Sequence, residues 1–493
     1  MERRIRIAGI FLALCFLVLF AQLNNIQIVR AHALATSPQN PQVIEARLSQ
    51  SRGEILSSDG AVLAKSVLAT SGAYKYRRVY PAATATLFSQ VVGYDSPIYG
   101  LTGVEAAYDK YLVPHTRPAK TLGDLLVNRT TTDNVTLTLS AKLQAEVTAD
   151  LQAIPTHPPN AGAVVIDPHT GAILAMAGIP SFDPNPLVAV SAATETAAWK
   201  ALDPSSPTSP LLSRAYQLTW FPGSTYKIVT TSAIFDHMPS LASVNYPIAG
   251  CIPLPQSNQQ LCNYGHGAER CGQTIQQALP QSCDTVYGQY GMSLGAQNQI
   301  TEAHAFGFDM PIPLDIAGAA EGQFPGLSVL KHDKPNQAYS AFGQLDDQAS
   351  PLMMALVGSA IANGGVIMTP HVMQSVHDAQ GDLVTRYTPK PWRRATSAQT
   401  ASQVKALMRR VVTDPLGTGY GVFPASEDVA AKTGTAQTGY HTTNDWMVAM
   451  APATNPKVVV AIAVPDQGEL QTGNSVAGPA IAKILKQALA LAP

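Results

Sequence analysis

The sequence predicts an α+β protein in which helices flank an antiparallel sheet and a helical subdomain is inserted between its strands. Two strand patterns open this region, in AGAVVIDPHTGAILAMAG from residue 161. Three more lie near the end of the chain, in EDVAAKTGTAQTGY, NDWMVAMAP and KVVVAIAVP, and SVAGPAIAKILKQALALA reads as a closing helix. Because the stretch between the two groups is mostly helical in pattern, we expect it to form the inserted part.

The N-terminus reads as a membrane helix. Arg3, Arg4 and Arg6 precede an uncharged apolar run, and residues 7–29 are long enough to span about 30 Å of hydrocarbon. A cleaved signal peptide is the competing interpretation, with Ala31-His32-Ala33 as the cleavage site. That site lies about ten residues beyond the apolar run, so we favour a retained single-pass anchor. The arginines then place residues 1–6 in the cytoplasm and the rest outside.

Between the anchor and the main domain we expect a linker and a small mixed domain. Residues 30–50 are polar and read as the linker. In residues 51–154, SRGEILSSDGAVLAKS has the pattern of a hairpin, YGLTGVEAAYDKYL that of a turn and a short helix, and DNVTLTLSAKLQAEVTADLQ that of a strand and a helix. The segment THPPN marks the boundary, and residues 155–493 form the main domain.

Composition excludes several classes of protein. The chain has 493 residues, of which 46% are hydrophobic and 13% charged, with a net charge of −1. A disordered chain or one that binds nucleic acid through bulk charge is therefore not expected. Since no CxxC or HExxH spacing occurs, we predict neither a metal site nor a cofactor.

Four of the five cysteines, Cys251, Cys262, Cys271 and Cys283, lie in one stretch of the exported part. An even number of exported cysteines indicates disulfides, and four cysteines allow three pairings. We take sequence neighbours as the working hypothesis, with Cys251 joined to Cys262 and Cys271 to Cys283. A buried free thiol at Cys283 remains the alternative.

The segment FPGSTYKIVTTSAIFD places Ser224 and Lys227 one helical turn apart, just after a Pro-Gly pair. Residues with this spacing share a helix face, so the lysine nitrogen can come within hydrogen-bond reach of the serine oxygen. The pattern alone is weak evidence, because Ser-x-x-Lys also occurs at Ser328 to Lys331 and at Ser402 to Lys405.

Two further motifs single out Ser224. Ser282-Cys283-Asp284 follows it by about sixty residues, and Lys432-Thr433-Gly434 follows that by about 150. Ser243-Val244-Asn245 lies too close to Ser224 to be the second motif, and Ser57-Ser58-Asp59 precedes it. We do not expect a GxSxG hydrolase, because we find no strand-turn-helix nucleophile elbow in the sequence.

In order and spacing, the three motifs resemble those of the penicillin-interacting serine enzymes. The fold of these enzymes is that of the penicillin-binding proteins and serine β-lactamases. The segments AGAVVIDPHTGAILAMAGIPSFDPN, FPGSTYK, NDWMVAMAP and KTGTAQ are similar to a transpeptidase domain. RGEILSSDGAVLAKS and GLTGVEAAYDKYL resemble the N-terminal pedestal, a dimerisation-type domain, of class B penicillin-binding proteins. The actinobacterial penicillin-binding protein A group is the most similar subgroup.

Each motif residue has an expected role in the transfer of an acyl group. Ser224 would be the nucleophile, Lys227 its base, and Ser282 the relay that protonates the leaving amine. Burial and a second cation, Lys432, would lower the pKa of Lys227. The backbone N–H groups of Ser224 and Thr435 would form the oxyanion hole.

The substrate-binding residues follow from the strand and from the resemblance. Alternation places Thr433 and Thr435 on one strand face, where their hydroxyls would bind a carboxylate, and Gly434 allows close approach. Alternation directs Lys432 to the other face, so its place in the cleft is implied by the resemblance. Asp284 stands where many relatives have asparagine, and its charge would raise the pKa of Lys227.

The resemblance implies a peptidoglycan D,D-transpeptidase that acts on stem peptides of the lipid-linked precursor and is acylated by β-lactams. It also implies a membrane partner, a glycosyltransferase of the shape, elongation, division and sporulation family. Two alternatives stay open: a weakly active or inactive scaffold or β-lactam sensor, and a D,D-carboxypeptidase or β-lactamase of the same fold.

Overall fold

The fold was analysed in a computed structural model. The described residues are 2–30, 45, 49–70, 74–116, 130–156, 160–189 and 191–491. Most of the predicted linker, the Ala31-His32-Ala33 site and residues 157–159 of the predicted boundary lie outside these ranges. The exact domain limits therefore remain predictions.

The chain begins with α1 (Glu2–Asn24), which continues into a π-helical turn (Asn25–Val29). Together these elements form the one helix in the described ranges that is long and apolar enough to cross a membrane, with a hydropathy of 2.3. None of its side chains is buried against the rest of the protein. Its length and composition are those of a membrane anchor.

The N-terminal region, residues 49–156, contains short strands and helices. Its strands are β1 (Ile55–Leu56), β2 (Val62–Leu68), β3 (Tyr76–Val79), β4 (Asp95–Ser96), β5 (Gly100–Leu101), β6 (His115–Thr116), β7 (Thr130–Thr131) and β8 (Asn134–Leu137). Its helices are α2 (Ala85–Val92), α3 (Gly103–Ala107), α4 (Asp109–Leu112) and α5 (Ala141–Gln152). The predicted hairpin is present as the antiparallel pair of β1 and β2.

The C-terminal region, residues 160–491, contains the remaining elements. Its strands are β9 (Ala161–Ile166), β10 (Ile173–Ile179), β11 (Tyr246–Ala249), β12 (Cys251–Pro253), β13 (Gln260–Cys262), β14 (Cys271–Gln273), β15 (Val366–Met368), β16 (Met373–His377), β17 (Leu383–Arg386), β18 (Pro391–Arg394), β19 (Ala430–Gln437), β20 (Thr442–Ala451) and β21 (Val458–Gly468). Its helices are α6 (Ala192–Ala201), α7 (Lys227–His237), α8 (Ile275–Ala278), α9 (Asp284–Phe306), α10 (Leu327–Leu330), α11 (Lys334–Ser340), α12 (Pro351–Ala362), α13 (Ala398–Thr413), α14 (Gly473–Val476) and α15 (Gly478–Leu491).

The main sheet has five antiparallel strands in the order β10-β9-β21-β20-β19. It joins the two ends of the C-terminal region, with the helices and short strands of residues 180–429 inserted between β10 and β19. The predicted α+β architecture is confirmed. Among the described strands, β19 pairs with β20 alone, so it lies at the edge of the sheet and borders the inserted part.

Both faces of this sheet are buried, and its residues alternate between two apolar clusters. Val164, Val448 and Val459 pack on the face that carries α12. Val165, Ala449 and Val460 pack on the face that carries α5 and α15. The same alternation holds in β19, where Ala430 faces the first cluster and Ala431 the second. This alternation determines to which face of the sheet each of the following side chains of β19 points.

A second sheet connects the two regions, in the order β17-β16-β8-β1-β2-β3. Its strands β16 and β17 come from the C-terminal region, and β16 pairs with β8 with Val376 opposite Val135. Nearby, Tyr108 donates a 2.6 Å hydrogen bond to Asp315, whose carboxylate also accepts from the backbone of β16. The N-terminal region is therefore fixed to the C-terminal region by main-chain pairing.

The inserted part is less uniformly helical than the sequence indicates. Four short strands, β11 to β14, surround the cysteines and form two small hairpin-like pairs. Their sequences are short and rich in proline, glycine and polar residues, so no period-two pattern is visible in them.

Candidate active site

Ser224 lies in a 3-10 turn, Gly223–Tyr226, that leads directly into α7 at Lys227. The predicted helix start is therefore present, with the serine in its tightened first turn. Ser224 is 9% exposed and lies at the floor of a cavity of about 740 Å³. The hydroxyl is therefore the accessible end of an otherwise buried segment.

This turn packs against the edge strand β19. A side chain at Gly434 would come within 2.8 Å of the Pro222 carbonyl and 2.9 Å of the Thr225 methyl group. The indole nitrogen of buried Trp446 donates to the Phe221 carbonyl at 2.9 Å. Gly434 is thus needed so that the turn containing Ser224 can approach the strand. From the sequence we expected it to allow the approach of substrate.

Lys227 is completely buried beneath the cavity wall. Its Nζ donates to the Ser282 carbonyl at 2.6 Å, to the Asp284 carboxylate at 2.6 Å and to the Ser282 hydroxyl at 3.2 Å. Among the described residues, no hydrogen bond joins Nζ to the Ser224 hydroxyl, although the one-turn spacing made one possible. Lys227 Nζ instead donates to the carboxylate of Asp284, at the start of α9.

Ser282 links the two lysines of the motifs. Its hydroxyl lies 2.9 Å from Lys432 Nζ and 3.2 Å from Lys227 Nζ. Its backbone has φ 56°, an unfavourable conformation for a residue other than glycine. This conformation occurs between α8 and α9, where the serine presents both its carbonyl and its hydroxyl to the lysines.

The lysine pKa values differ from the expected arrangement. Burial is the main cause that lowers the pKa of Lys227, and the neighbouring Asp284 carboxylate opposes it. Lys432 is the more strongly affected group: burial and the nearby Lys227 ammonium hold its pKa well below the usual value. Because Lys227 directly contacts a carboxylate and Lys432 does not, Lys227 retains its proton more readily. Burial lowers the pKa of both lysines, and the carboxylate that favours an ammonium contacts Lys227.

Alternation along β19 separates the motif residues between its two faces. Lys432 follows Ala430 and faces the inserted part, where it meets Ser282. Thr433 follows Ala431 on the other face, where its hydroxyl lies 2.6 Å from that of Thr418. Thr435 accepts a 3.0 Å hydrogen bond from the backbone N–H of Gly473. Since β19 is an edge strand, Thr433, Thr435 and Ser224 all reach the same cavity.

Two disulfides lie in one wall of this cavity. Cys251 is bonded to Cys262, and Cys271 to Cys283, so Cys283 is not a free thiol in the structure. Cys271 lines the cavity beside Ser282 and Asp284. The second bridge thereby fastens the segment that carries Ser282 to β14.

Comparison with known families supports the resemblance seen in the motifs. Residues 161–486, about two thirds of the chain, match the penicillin-binding protein transpeptidase domain. The chain belongs to the penicillin-binding protein transpeptidase family. Residues 52–133 match the penicillin-binding protein A dimerisation domain.

Relatives of this penicillin-binding protein are similar over almost their whole length. The chain is 33% identical to peptidoglycan D,D-transpeptidase PbpA of Mycolicibacterium smegmatis over 495 residues, with 97% of each chain covered. It is 33% identical to PbpA of Mycobacterium tuberculosis, with 98% of each covered. The similarity to the penicillin-binding protein A group is confirmed.

Solved structures of that group share the fold. The crystal structure of PBPA from Mycobacterium tuberculosis matches with a TM-score of 0.78 at 31% identity, over 90% of this chain and 100% of that one. A ceftriaxone acyl-enzyme complex of the same protein matches with a TM-score of 0.79 at 31% identity, over 90% and 99%.

The competing Ser-x-x-Lys pairs of this penicillin-binding protein lie away from the cavity. Ser328 is exposed on the short helix α10, and Ser402 is exposed on α13. Ser243 is exposed beyond α7, and Ser57 is buried in the N-terminal region with a hydrogen bond to Asp59. None of the four lines the Ser224 cavity.

Sequence reasoning missed several residues of the site. Thr418 contacts Thr433, while Tyr264 and Glu269 border the cavity from the loop between the disulfides. Asp445 lies opposite Thr435 on β20. The aspartate had a visible signal, since it lies in a predicted strand directly before the apolar part, whereas the loop residues had none.

The Asp445 carboxyl is buried with few hydrogen bonds to stabilise its charged form. Its side chain has no exposed surface, its Oδ1 lacks a hydrogen-bond partner among the described residues, and Oδ2 lies 3.4 Å from the Thr443 hydroxyl. Burial raises the pKa of this carboxyl to about 7, and the hydroxyls of Thr443 and Thr435 oppose the rise. The folded protein therefore binds this proton more tightly than the unfolded chain does.

Replacing Asp445 with asparagine is expected to stabilise the protein in a pH-dependent way. The folded pKa is raised, so the wild type loses stability as pH rises from about 4, where the unfolded carboxyl ionises, to about 7. The variant lacks this loss, so its advantage should grow by roughly 2 to 4 kcal/mol between pH 5 and pH 8. Denaturant unfolding of the full chain in detergent at both pH values measures it. If the variant were stabilised equally at pH 5 and pH 8, the raised pKa of Asp445 in the folded protein would be contradicted.

Proposed function

We propose that this chain is a peptidoglycan D,D-transpeptidase that works through an acyl-enzyme on Ser224. The observation that carries the proposal is the connected set of Lys227, Ser282 and Lys432 beside an accessible serine, in a cavity bordered by the Thr433 and Thr435 hydroxyls. The names of the mycobacterial relatives and the β-lactam acyl-enzyme of a structural neighbour support it.

In the acylation step, Ser224 Oγ forms a bond to the carbonyl carbon of the penultimate D-alanine of a stem peptide. Lys227 takes the hydroxyl proton in its neutral form, which its burial favours, after its side chain turns from Asp284 toward the serine one helical turn away. The C–N bond to the terminal D-alanine breaks, and Ser282, in contact with both lysines, passes a proton to the leaving nitrogen. The free amino acid D-alanine departs.

Charge develops on the carbonyl oxygen during this step. The backbone N–H groups of Ser224 and Thr435 are the proposed donors to it, because both residues border the cavity at the contact between the turn and β19. The substrate's terminal carboxylate would accept from the Thr433 and Thr435 hydroxyls. Lys432 acts on the opposite face of the strand by orienting Ser282, with Gly434 providing the close contact between strand and turn.

In the second step the amine of a neighbouring stem peptide attacks the acyl carbon and releases Ser224. The product is a crosslink between two strands of the wall. A β-lactam resembles the acyl-D-alanyl-D-alanine end, so it would acylate the same hydroxyl and remain there.

The proposed location is the outer face of the cell membrane. Arg3, Arg4 and Arg6 precede the apolar part of α1, which favours a cytoplasmic N-terminus. The catalytic domain is then exported, in the compartment where the two disulfides are stable. A membrane glycosyltransferase of the shape, elongation, division and sporulation family is the proposed partner, since it would supply new glycan strands.

The alternatives differ in their products. We would incubate the full chain in detergent with a donor peptide ending in D-alanyl-D-alanine and a second peptide that offers an amine, and follow both products by mass spectrometry. Free D-alanine together with a crosslinked dimer is the expected result. D-alanine without any dimer would indicate a carboxypeptidase, and neither product would indicate a scaffold or sensor. A sample treated beforehand with penicillin is the control.

A further inference from the structure

The loop of residues 263–270 lies over the cavity and is fastened at both ends. Cys262 before it is bonded to Cys251, and Cys271 after it is bonded to Cys283. Within the loop, the Asn263 amide donates to the Glu269 carbonyl at 3.2 Å. The amide oxygen of Asn263 also accepts a 2.9 Å hydrogen bond from the backbone N–H of Thr285, at the start of α9. The position of Glu269 is thus coupled to the segment that carries Ser282 and Asp284.

The Glu269 side chain lines the cavity that contains Ser224 and Asp284. Among the described residues, no hydrogen bond or ion pair involves its carboxylate, whereas the Asp284 carboxylate is held by Lys227 at 2.6 Å. Burial raises the pKa of Glu269, as does the charge of Asp284, while Lys227 lowers it. Of these two carboxylates in the cavity, Glu269 is the one available to a bound ligand.

The cavity therefore has two chemically different walls. Neutral hydroxyls of Thr433 and Thr435 line the strand side, where the proposed function places the donor's carboxylate. The loop side presents the Glu269 carboxylate, for which the described part of the chain shows no hydrogen bond or ion pair. Arg270 of the same loop also lines the cavity, and its guanidinium donates to the Ile248 carbonyl at 3.2 Å. Next to the Glu269 carboxylate, this wall favours a cationic group over a second carboxylate.

We propose that Glu269 binds the ammonium group of the acceptor peptide and takes one of its protons before the acyl group is transferred. This inference rests on the proposed transpeptidase function and adds the residue that recognises the second substrate. A primary aliphatic amine is mostly protonated at neutral pH, as lysine is, and an ammonium ion has no electron pair with which to attack.

The proton balance of the transfer step is complete with the groups present. The acceptor ammonium gives one proton to the Glu269 carboxylate, which becomes a carboxylic acid, and the amine nitrogen forms a bond to the acyl carbon. The bond between that carbon and Ser224 Oγ breaks. A second proton leaves the nitrogen and reaches the serine oxygen through the Ser282 hydroxyl. Glu269, which is exposed at the cavity rim, then releases its proton to water.

The test compares how the acyl-enzyme divides between an amine and water. We would acylate the full chain with a thioester donor and measure the ratio of amide to hydrolysed product at several concentrations of a primary amine. Glu269→Gln is expected to lower this ratio by about 10- to 100-fold, through a higher KM for the amine, as for the loss of a hydrogen bond to a charged group. Glu269→Asp should give an intermediate ratio. Glu321→Gln, at an exposed carboxylate outside the cavity, should behave as the wild type.

A nucleophile that is neutral at the assay pH makes the test specific for charge. With hydroxylamine as acceptor, the wild type and Glu269→Gln should divide between transfer and hydrolysis alike. If Glu269→Gln gives the wild-type ratio with the primary amine, or loses transfer to hydroxylamine equally, the inference is wrong. These results are distinct from failure of the proposed function, in which no variant would form an acyl-enzyme.

Discussion

Replacing Ser224 with alanine is expected to abolish covalent labelling of the protein by fluorescent penicillin. The label requires an oxygen that can attack the β-lactam carbonyl, and in this cavity that atom is on the serine next to the lysine pair. Alanine removes the oxygen and fits the same tight turn between Gly223 and β19, so the fold should be retained. Gel fluorescence after a fixed incubation, with circular dichroism to verify folding, measures the effect.

The sequence supplies matched controls for this experiment. Ser328 and Ser402 have the same Ser-x-x-Lys spacing but are exposed and remote from the cavity. Ser328→Ala and Ser402→Ala should therefore label like the wild type. Labelling that persists in Ser224→Ala, or that is lost in either control, would remove the basis for the proposed nucleophile.

Replacing Lys227 with alanine is expected to slow acylation by about 10²- to 10⁴-fold, the usual contribution of a general base. The amine is fully buried, and its pKa is lowered by burial, so that a neutral form able to accept the serine proton becomes accessible. The second-order rate of acylation by a chromogenic cephalosporin measures the change. A rate within threefold of the wild type would show that another group takes the proton.

Asp284→Asn provides a companion variant that keeps the lysine and removes the charge beside it. Because the carboxylate raises the pKa of Lys227, its removal should lower that pKa further. The neutral amine would then be present at lower pH, and the rising limb of the acylation rate against pH should move to lower pH. A shift in the opposite direction would contradict the assignment of Lys227 as the base.

The sheet could be predicted, and Ser224 and the two lysines could be singled out as candidates, because local sequence patterns contain them. Ser224 follows a Pro-Gly pair at a helix start, and the strands that hold the Lys-Thr-Gly motif alternate visibly. Order and spacing then selected Ser282 over Ser243. These features depend on residues close together in the chain, which the sequence records directly.

The position of Lys432 required the tertiary structure. Alternation correctly directs its side chain away from Thr433, but only the packing of the inserted part on that face brings Ser282 within 2.9 Å. The proton distribution between the two lysines likewise depends on the contact of Lys227 with Asp284, which no spacing rule contains. Sequence alone therefore does not show the carboxylate contact that favours a proton on Lys227.

The loop between the disulfides was the part least accessible to sequence reasoning. Tyr264 reaches across the cavity rim, where its hydroxyl donates to backbone carbonyls of Glu469 and Gln471. Glu269 enters the same cavity from a segment without helix or strand pattern. Contacts of this kind join positions about 200 residues apart, so they appear only once the chain is folded.

Peptide mass mapping of the penicillin-treated wild type tests the central claim most directly. After digestion with trypsin, residues 215–227 form the peptide that contains Ser224. We expect the penicilloyl mass on this peptide and, after fragmentation, on Ser224 itself. An adduct on the peptides that contain Ser328 or Ser402, or on any other residue in place of Ser224, would contradict the proposed catalytic centre.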